Sequence, residues 1–580
     1  MNINYFSLIS RIIIKITLFI SVFFLIPGPE IFGQVDINKE IKKAEDFFDS
    51  RGEVYFKITD CPGNRINYIS SIISIDKLLN NQVFAYANEN QFREFLKLNI
   101  IFEILKPPSF VEHVKMAANT MSVFNWDSYP TYQQYTEMMY DFALNFPSIC
   151  KIYDIGQSIN DKSILFVKIS DNVNADEDEP EFMYSSTMHG NEIPGYILML
   201  RLIDYLLNNY NSDPKITTMV NNLEIWINPL ANPDGTYYGG DNTVYGAKRY
   251  NLNNVDLNRN FPDPDDGSNP DGNERQPENI IMMGFMQNRD FVLSANLHAG
   301  AEVINYPWDT WRRLHADDDW FQYISRQYAD TVHLYNSTYL DGFDDGITNG
   351  YEWYTISGGR QDYVNYFLHG REVTMELSNT KIPAPSTLPN FWEYNYRSLL
   401  NYMEQSMFGI EGYITDSIYG NPLKARIEIV GHDIDSSFIY SDSLSGFYHR
   451  LIYQGMYDLK ISCPDYIEKI IYGVNVYNQQ LTKLNIGLAP IIQVFDIEPF
   501  PNPIGASGKI SVKIPHKTKL QVCVFDIFGN KLHIIASGTY LKGEYTFDFE
   551  TGSLPKGIYF LQFSFDNRIV RKKIIVLNDL

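Results

Sequence analysis

The chain has 580 residues, 44% hydrophobic and 20% charged, with a formal net charge of −23. That length exceeds a single core and implies roughly three to five domains, and the composition is that of soluble globular protein rather than of a disordered chain. The acidic balance excludes nucleic-acid binding through a basic face. The four cysteines, Cys61, Cys150, Cys463 and Cys523, lie far apart with no CxxC, so neither a disulfide framework nor a cysteine zinc site is expected.

Residues 1–34 read as a signal peptide. Arg11 and Lys15 precede an apolar run from Ile16 to Ile26, Pro27 and Gly28 break it, and Phe32-Gly33-Gln34 offers a cleavage region. The run falls short of the ~20 residues of a spanning helix, so export without a transmembrane anchor is expected. Residues 35–110 form a small α/β unit: Glu40 to Phe48 and Glu89 to Lys97 have helical periodicity, while Glu53 to Ile58 and Gln82 to Ala87 alternate like strands. Lys106-Pro107-Pro108-Ser109 closes that unit. Residues 120–408 alternate strand and helix, with strands at Lys151 to Ile155, Ser163 to Ile169, Glu181 to Thr187 and Leu223 to Asn228 and helices at Tyr132 to Phe146 and Pro194 to Tyr210. This pattern gives an α/β fold with a doubly wound, mixed sheet, whose ligands belong at the carboxyl ends of the strands. Residues 409–492 and 497–580 change to short strands between Gly, Asp and Ser turns, the pattern of two small all-β sandwiches.

Four elements of the α/β stretch carry chemistry. His189-Gly-Asn-Glu192 follows an apolar strand, and His298 ends another, Ser294-Ala-Asn-Leu-His298. Two His and one Glu at strand ends of one sheet would make a three-ligand zinc site with an open position, although a single loop His and Glu are more often solvated. Arg249 and Arg259, the latter in Asp256-Leu-Asn258-Arg259-Asn-Phe-Pro262, read as an anion and oxyanion site. Asp256 could orient a ligating imidazole. Glu376 interrupts the apolar Val373-Thr-Met-Glu-Leu377, and burial there would raise its pKa toward general-base range, unless the strand is an edge and the carboxylate faces water. Two further segments read as solvated: the acidic run Asp176 to Glu179, and Pro262 to Pro277, where a calcium site is the alternative.

Together, HxxE, Asn232-Pro-Asp-Gly235, DLNRNFP, NLH and the isolated strand Glu come in the order and spacing of the zinc metallocarboxypeptidases of the funnelin family, which residues 125–408 resemble. The resemblance implies one Zn2+ per catalytic domain held by His189, Glu192 and His298. It implies Glu376 as the base that deprotonates the attacking water and Arg249 as the group that polarises the scissile carbonyl. Asn258, Arg259 and Tyr354 would hold the substrate's C-terminal carboxylate, and Asp256 would orient a ligand His. A β-sandwich directly after the catalytic stretch is the layout of the family's N/E branch, where that module resembles transthyretin. In that branch Asp309 and Gln361 meet the substrate's last side chain, and an Asp implies a preference for C-terminal Arg or Lys unless Asp309 points to water. Two positions depart from the family pattern: Ala299 after the ligand His, a methyl that should be tolerated, and Arg360, which would weaken a basic preference if it pointed into the pocket. Residues 35–110 loosely resemble a carboxypeptidase pro-segment, which could inhibit, assist folding or stay attached. Residues 497–580, through Pro501-Asn-Pro503, Phe525-Asp-Ile-Phe-Gly529, Gly557-Ile-Tyr-Phe560 and Lys572 to Leu577, resemble the sorting domain of the Bacteroidetes type IX secretion system. That implies outer-membrane secretion machinery as a partner and a secreted or cell-surface location. The expected substrate is the C-terminus of peptides or proteins. The competing readings are a zinc peptidase of peptidoglycan stem peptides and a dead peptidase scaffold that only binds.

Overall fold

The computed structural model describes residues 36–577 apart from 60, 62, 80, 113, 492–495, 515–516 and 566–567; the signal-peptide expectation lies outside the described residues. Two units are distinguished, one comprising everything up to Leu488 except Asp465–Ile467, the other comprising Asp465–Ile467 and Ala489 onward.

At the start of the first unit, helix Ile37–Arg51 begins where the Asp36 carboxylate accepts from the Asn38 and Lys39 amides and ends at Gly52, whose φ of 70° suits glycine. This helix and Glu89–Leu96 pack on an antiparallel sheet of β1 (Val54–Ile58), β2 (Ser74–Leu79), β3 (Gln82–Ala87) and β4 (Phe102–Leu105), ordered β2-β3-β1-β4. In its core Phe102 meets Phe92 and Phe95 edge to face, as Phe56 meets Phe92, while Phe56 and Phe95 pack tilted. The sequence pattern locates both helices, β1 and β3 but not β2 or β4. Strand β2 buries Ser74, Ile75 and Asp76 in succession, so it lacks the alternation that marks a half-buried strand.

The catalytic-type fold is an eight-stranded mixed sheet of β5 (Cys150–Gln157), β6 (Ser163–Ile169), β7 (Glu181–Ser186), β8 (Glu224–Asn228), β9 (Phe291–His298), β10 (Glu302–Tyr306), β11 (Ile347–Asn349) and β12 (Glu372–Leu377), in the order β11-β10-β12-β9-β7-β8-β6-β5. The central run β12-β9-β7-β8 is parallel. Alternate residues feed opposite faces. Phe182 and Tyr184 join Leu293, Ala295 and Leu297 beneath helices Pro194–Asn209, Asp318–His333 and Leu388–Glu404. Met183, Phe166 and Trp226 meet Met282, Met286 and Tyr363 of helices Pro277–Gln287 and Arg360–Phe367 on the other face. Burying apolar area on both faces at about 25 cal/mol per Å² fixes this sheet and with it the ends of its strands. Pro194 opens its helix at the first turn, a position where a missing amide proton costs nothing.

A β-sandwich follows, from Gly409–Asp416 to Ile486–Leu488, with Ile410, Ile414, Ile427, Ile429, Leu459 and Ile461 inside. In the second unit a three-stranded and a four-stranded antiparallel sheet enclose Ile510, Val512, Val522, Val524, Leu561 and Phe563. Strand Ser507–Ile514 buries every second residue, as a sheet with one wet face requires. Among the described residues no helix is long and apolar enough to cross a membrane.

Candidate active site

The parallel strands β7, β9 and β12 end side by side, and the candidate residues sit at those ends. His189 and Glu192 lie in the turn between β7 and the Pro194 helix, and His298 is the last residue of β9. One donor atom from each lies within 4.8 Å of the other two, and all three are buried. His189 Nδ1 is 3.0 Å from Glu192 Oε1, His298 Nδ1 is 2.8 Å from Glu192 Oε2, and the two Nδ1 atoms are 3.1 Å apart. On its far side His189 Nε2 meets Asp256 Oδ1 at 2.9 Å. That contact places the ring proton on Nε2 and leaves the Nδ1 lone pair facing the trio. Burial pushes His298 down to about 4, so it is a neutral imidazole, the form that ligates. Two imidazoles and a carboxylate converging on one point fit Zn2+. Gly190 lets this turn close, because a Cβ there would meet the Gly235 backbone at 2.4 Å.

Strand register places Glu376 directly beside His298. β12 lies between β10 and β9, so Glu376 is on an interior strand, not an edge. Its Oε2 is buried without a hydrogen-bond partner, and burial followed by repulsion from Glu192 pushes its carboxyl up to about 8. Arg249 Nη1 donates to Glu192 Oε1 at 2.9 Å and its Nε reaches Asp256 Oδ2 at 3.3 Å. Arg259 spends Nη1 on the Asn258 carbonyl at 2.9 Å, while its buried Nε and Nη2 have no hydrogen-bond partner. Two idle N–H groups on one edge of a guanidinium are a cradle for a carboxylate. The Asn258 Oδ1 accepts from the Arg360 amide at 2.9 Å. The charges of Arg259, Glu376 and Arg249 all reach the buried Tyr354 hydroxyl.

Asp309 is 2% exposed, so it does not point to water. Its Oδ1 accepts from Asn305 Nδ2 at 2.9 Å and from Gln361 Nε2 at 3.2 Å. Burial pushes it up to about 6. Burial and the Asp309 charge push Asp362 well above the carboxylate range, so Asp309 is the member of the pair that ionises first. Gly350 makes room for it, since a Cβ there would fall 1.9 Å from Asp309 Oδ1. The concern over Arg360 is removed by geometry: its Nε and Nη2 bind Glu372 at 2.9 and 3.1 Å, with both side chains fully buried. Ala299 is also accommodated, and its amide donates to Glu192 Oε2 at 3.1 Å.

Residues 135–398 match the family described as zinc carboxypeptidase. Over 361 residues the chain is 36% identical to carboxypeptidase M of Mus musculus, covering 59% of this chain and 77% of that protein. The chain belongs to the zinc carboxypeptidase family. Carboxypeptidase SOL1 of Arabidopsis thaliana is 36% identical over 59% of this chain and 68% of its own length. Carboxypeptidase D of Homo sapiens is 37% identical over 60% of this chain, and the match spans 26% of that longer protein. Residues 498–577 match a secretion system C-terminal sorting domain.

This zinc carboxypeptidase relative carries site neighbours that its motifs did not reveal. Lys381 reaches Glu192 Oε1 at 2.6 Å and also donates to the Ala299 carbonyl. Burial would raise the Glu192 carboxyl, but His189, Lys381 and His298 outweigh it and hold it well below the carboxylate range. The larger omission is strand β2, which enters the cleft. Asp76 lies 2.6 Å from Lys381 Nζ and 3.8 Å from Arg249 Nη1. Ser74 Oγ donates to Asp256 Oδ2 at 2.6 Å, and the Tyr354 hydroxyl meets the Ile75 carbonyl at 3.4 Å. Glu53, fully buried, accepts from the Arg249 and Tyr250 amides at 3.2 and 3.1 Å.

Proposed function

We propose that the chain is an exported zinc carboxypeptidase that removes C-terminal residues, with preference for Arg and Lys. His189, Glu192 and His298 would hold one Zn2+, which supplies Lewis acidity at the scissile carbonyl and for the attacking water. Glu376 takes the proton from that water at its uncommitted Oε2 and passes it to the leaving amine. Arg249 stabilises the oxyanion. Arg259 Nε and Nη2, with Asn258 and Tyr354, hold the substrate carboxylate, which explains exopeptidase action because an internal bond has none to offer. Asp309, kept in place by Gln361 and Asn305, pairs with a basic last side chain in a partly dry pocket.

The single observation that carries this reading is the Arg259 guanidinium edge left without partners in a fold that also gathers a buried His-Glu-His trio. The surrounding domains extend it. Residues 36–105 act as a cap whose Asp76 occupies the Lys381 and Arg249 cations, so displacement of that domain precedes substrate binding. The sandwich after residue 408 corresponds to the transthyretin-like module of the N/E branch. The sorting domain directs type IX export to the surface or medium of a Bacteroidetes-type cell. The test compares zinc-loaded protein on paired peptides ending in Arg with a free or an amidated C-terminus. Release of Arg from the free acid only is expected; equal cleavage of the amide would refute the carboxylate clamp.

A further inference from the structure

The opposite end of the sheet holds a second concentration of carboxylates. Glu181 opens β7, Glu224 opens β8, and the parallel register pairs them directly. Like charges facing each other on neighbouring strands repel, and these two are 6% and 0% exposed. The loop that leads into β7 folds back over them. The Glu177 amide donates to Glu224 Oε1 at 3.0 Å, and Asp176 brings an oxygen within 4.8 Å of one from each buried Glu. Asp171, Glu177 and Glu179 form an adjoining trio of the same spacing. The expectation of a solvated turn therefore holds for Asp176 and Asp178, which are exposed, but not for Glu177 and Glu179, which turn inward.

Hydrogen bonding leaves this cluster incomplete. Glu181 uses Oε2 on the Asp290 amide at 2.6 Å, but its Oε1 has no hydrogen-bond partner, nor does Oε2 of Glu224, Glu177 or Glu179, and all four atoms are buried. The nearby cations do not balance the charge. Lys168 pairs with Glu224 at 2.6 Å and shares its protons with the Ala175 carbonyl; Arg289 stands 3.6 Å from Glu181. Burial, then repulsion from Glu224, pushes Glu181 up to about 8. Burial with Glu177, Asp171 and Glu224 does the same to Glu179. Idle buried carboxylate oxygens call for a cation.

We infer that Asp176, Glu181 and Glu224 bind a calcium ion, with the Asp171, Glu177 and Glu179 carboxylates alongside, at the end of the sheet remote from the zinc ligands. The donor set is all oxygen and contains no His or Cys, which selects a hard cation. Three carboxylates from one loop and two strand ends, with a second trio alongside, suit the high, irregular oxygen coordination that Ca2+ accepts better than the strict octahedron of Mg2+. The ion would tie the loop at 171–180 to β8 and to β7, the strand that carries the HxxE turn at its other end.

Trp226 provides a reporter, because Lys168 Nζ and the Arg289 guanidinium both lie over its ring, at 5.6 and 4.7 Å. The zinc-loaded full chain, freed of calcium, is titrated with Tb3+ under tryptophan excitation, then with Ca2+ as competitor, and its thermal unfolding is followed with Ca2+ or Mg2+. Expected are sensitised Tb3+ emission displaced by Ca2+ and a rise in Tm with Ca2+ that Mg2+ does not match. Asp176→Asn, a change at an exposed position, should weaken calcium binding at least tenfold. Glu181→Gln should abolish the Ca2+-dependent shift while melting no lower than the calcium-free parent, because it removes a buried repulsion. No displacement of Tb3+ by Ca2+, an equal response to Mg2+, or a calcium response unchanged in Asp176→Asn would overturn the inference. Asp176→Asn decides the question even if Glu181→Gln does not fold.

Discussion

Replacing Asp309 by Asn removes one charge and almost no volume, so it isolates the electrostatic part of specificity. Asp309 Oδ1 is committed to Asn305 and Gln361. Its Oδ2 lies 3.6 Å from where a Cβ on Gly359 would stand, which leaves one oxygen for a substrate cation. Removing one member of a buried, hydrogen-bonded charge pair costs about 2–5 kcal/mol. With a single free oxygen the lower half of that range applies, a loss of ~30- to ~400-fold in kcat/KM for peptides ending in Arg or Lys. Peptides ending in Leu or Phe should change little. The effect depends on pH in a defined direction. Burial pushes Asp309 up to about 6, so its charge is present above that pH and lost as pH falls through it. The parent's preference for basic ends should therefore grow from pH 5 to pH 8, while Asp309→Asn stays flat and meets the parent at the acid end. Rates on matched Arg and Leu peptides across this range supply the measurement. An Asp309→Asn enzyme that retained the basic preference, or a gap independent of pH, would refute the assignment of the pocket.

Three further outcomes are expected. Asp76→Ala removes the carboxylate that holds Lys381 and Arg249. Breaking a buried pair costs about 3–5 kcal/mol, so the cap loosens and initial peptidase rates of the full chain should rise at least several-fold; unchanged or lower rates would contradict capping. Glu376→Gln should lower kcat by ~10²- to ~10⁴-fold with zinc content unchanged by metal analysis, and near-parent turnover would exclude Glu376 as the base. Asp317 is buried between Arg371 of the catalytic domain and Arg450 of the sandwich, at 2.7 and 3.0 Å. Burial opposes its ionisation, but the two arginines prevail and hold it at about 2. This depressed pKa stabilises the fold above about pH 4 and the contribution disappears as pH falls through 2. Asp317→Asn should thus cost about 3–5 kcal/mol at neutral pH and progressively less below pH 4, as read from denaturant unfolding.

Local motifs made the trio readable. His189 and Glu192 are three residues apart, His298 closes an apolar strand, and Glu376 breaks another, so each announces itself within a few residues. The register that sets Glu376 beside His298 is visible only once β12 pairs with β9. What was not legible depends on distant segments meeting. Strand β2 shows no alternation because its face is buried under the catalytic domain, and nothing in Ser74-Ile-Asp76 announces that its carboxylate meets Lys381, far along the chain. Glu181 and Glu224 likewise stand singly in two separate strands until the register pairs them. The concern over Arg360 arose for the same reason, since its partner Glu372 is visible only once the helix packs on β12.

The most direct test of the central claim is release of the final residue from matched peptides ending in Arg, Lys, Phe, Leu or Glu, before and after a chelator and again after zinc is restored. Release of Arg and Lys that the chelator abolishes and zinc restores is expected. Release that ignores the chelator, or none from any peptide when the Asp76→Ala chain is loaded with zinc, would contradict it.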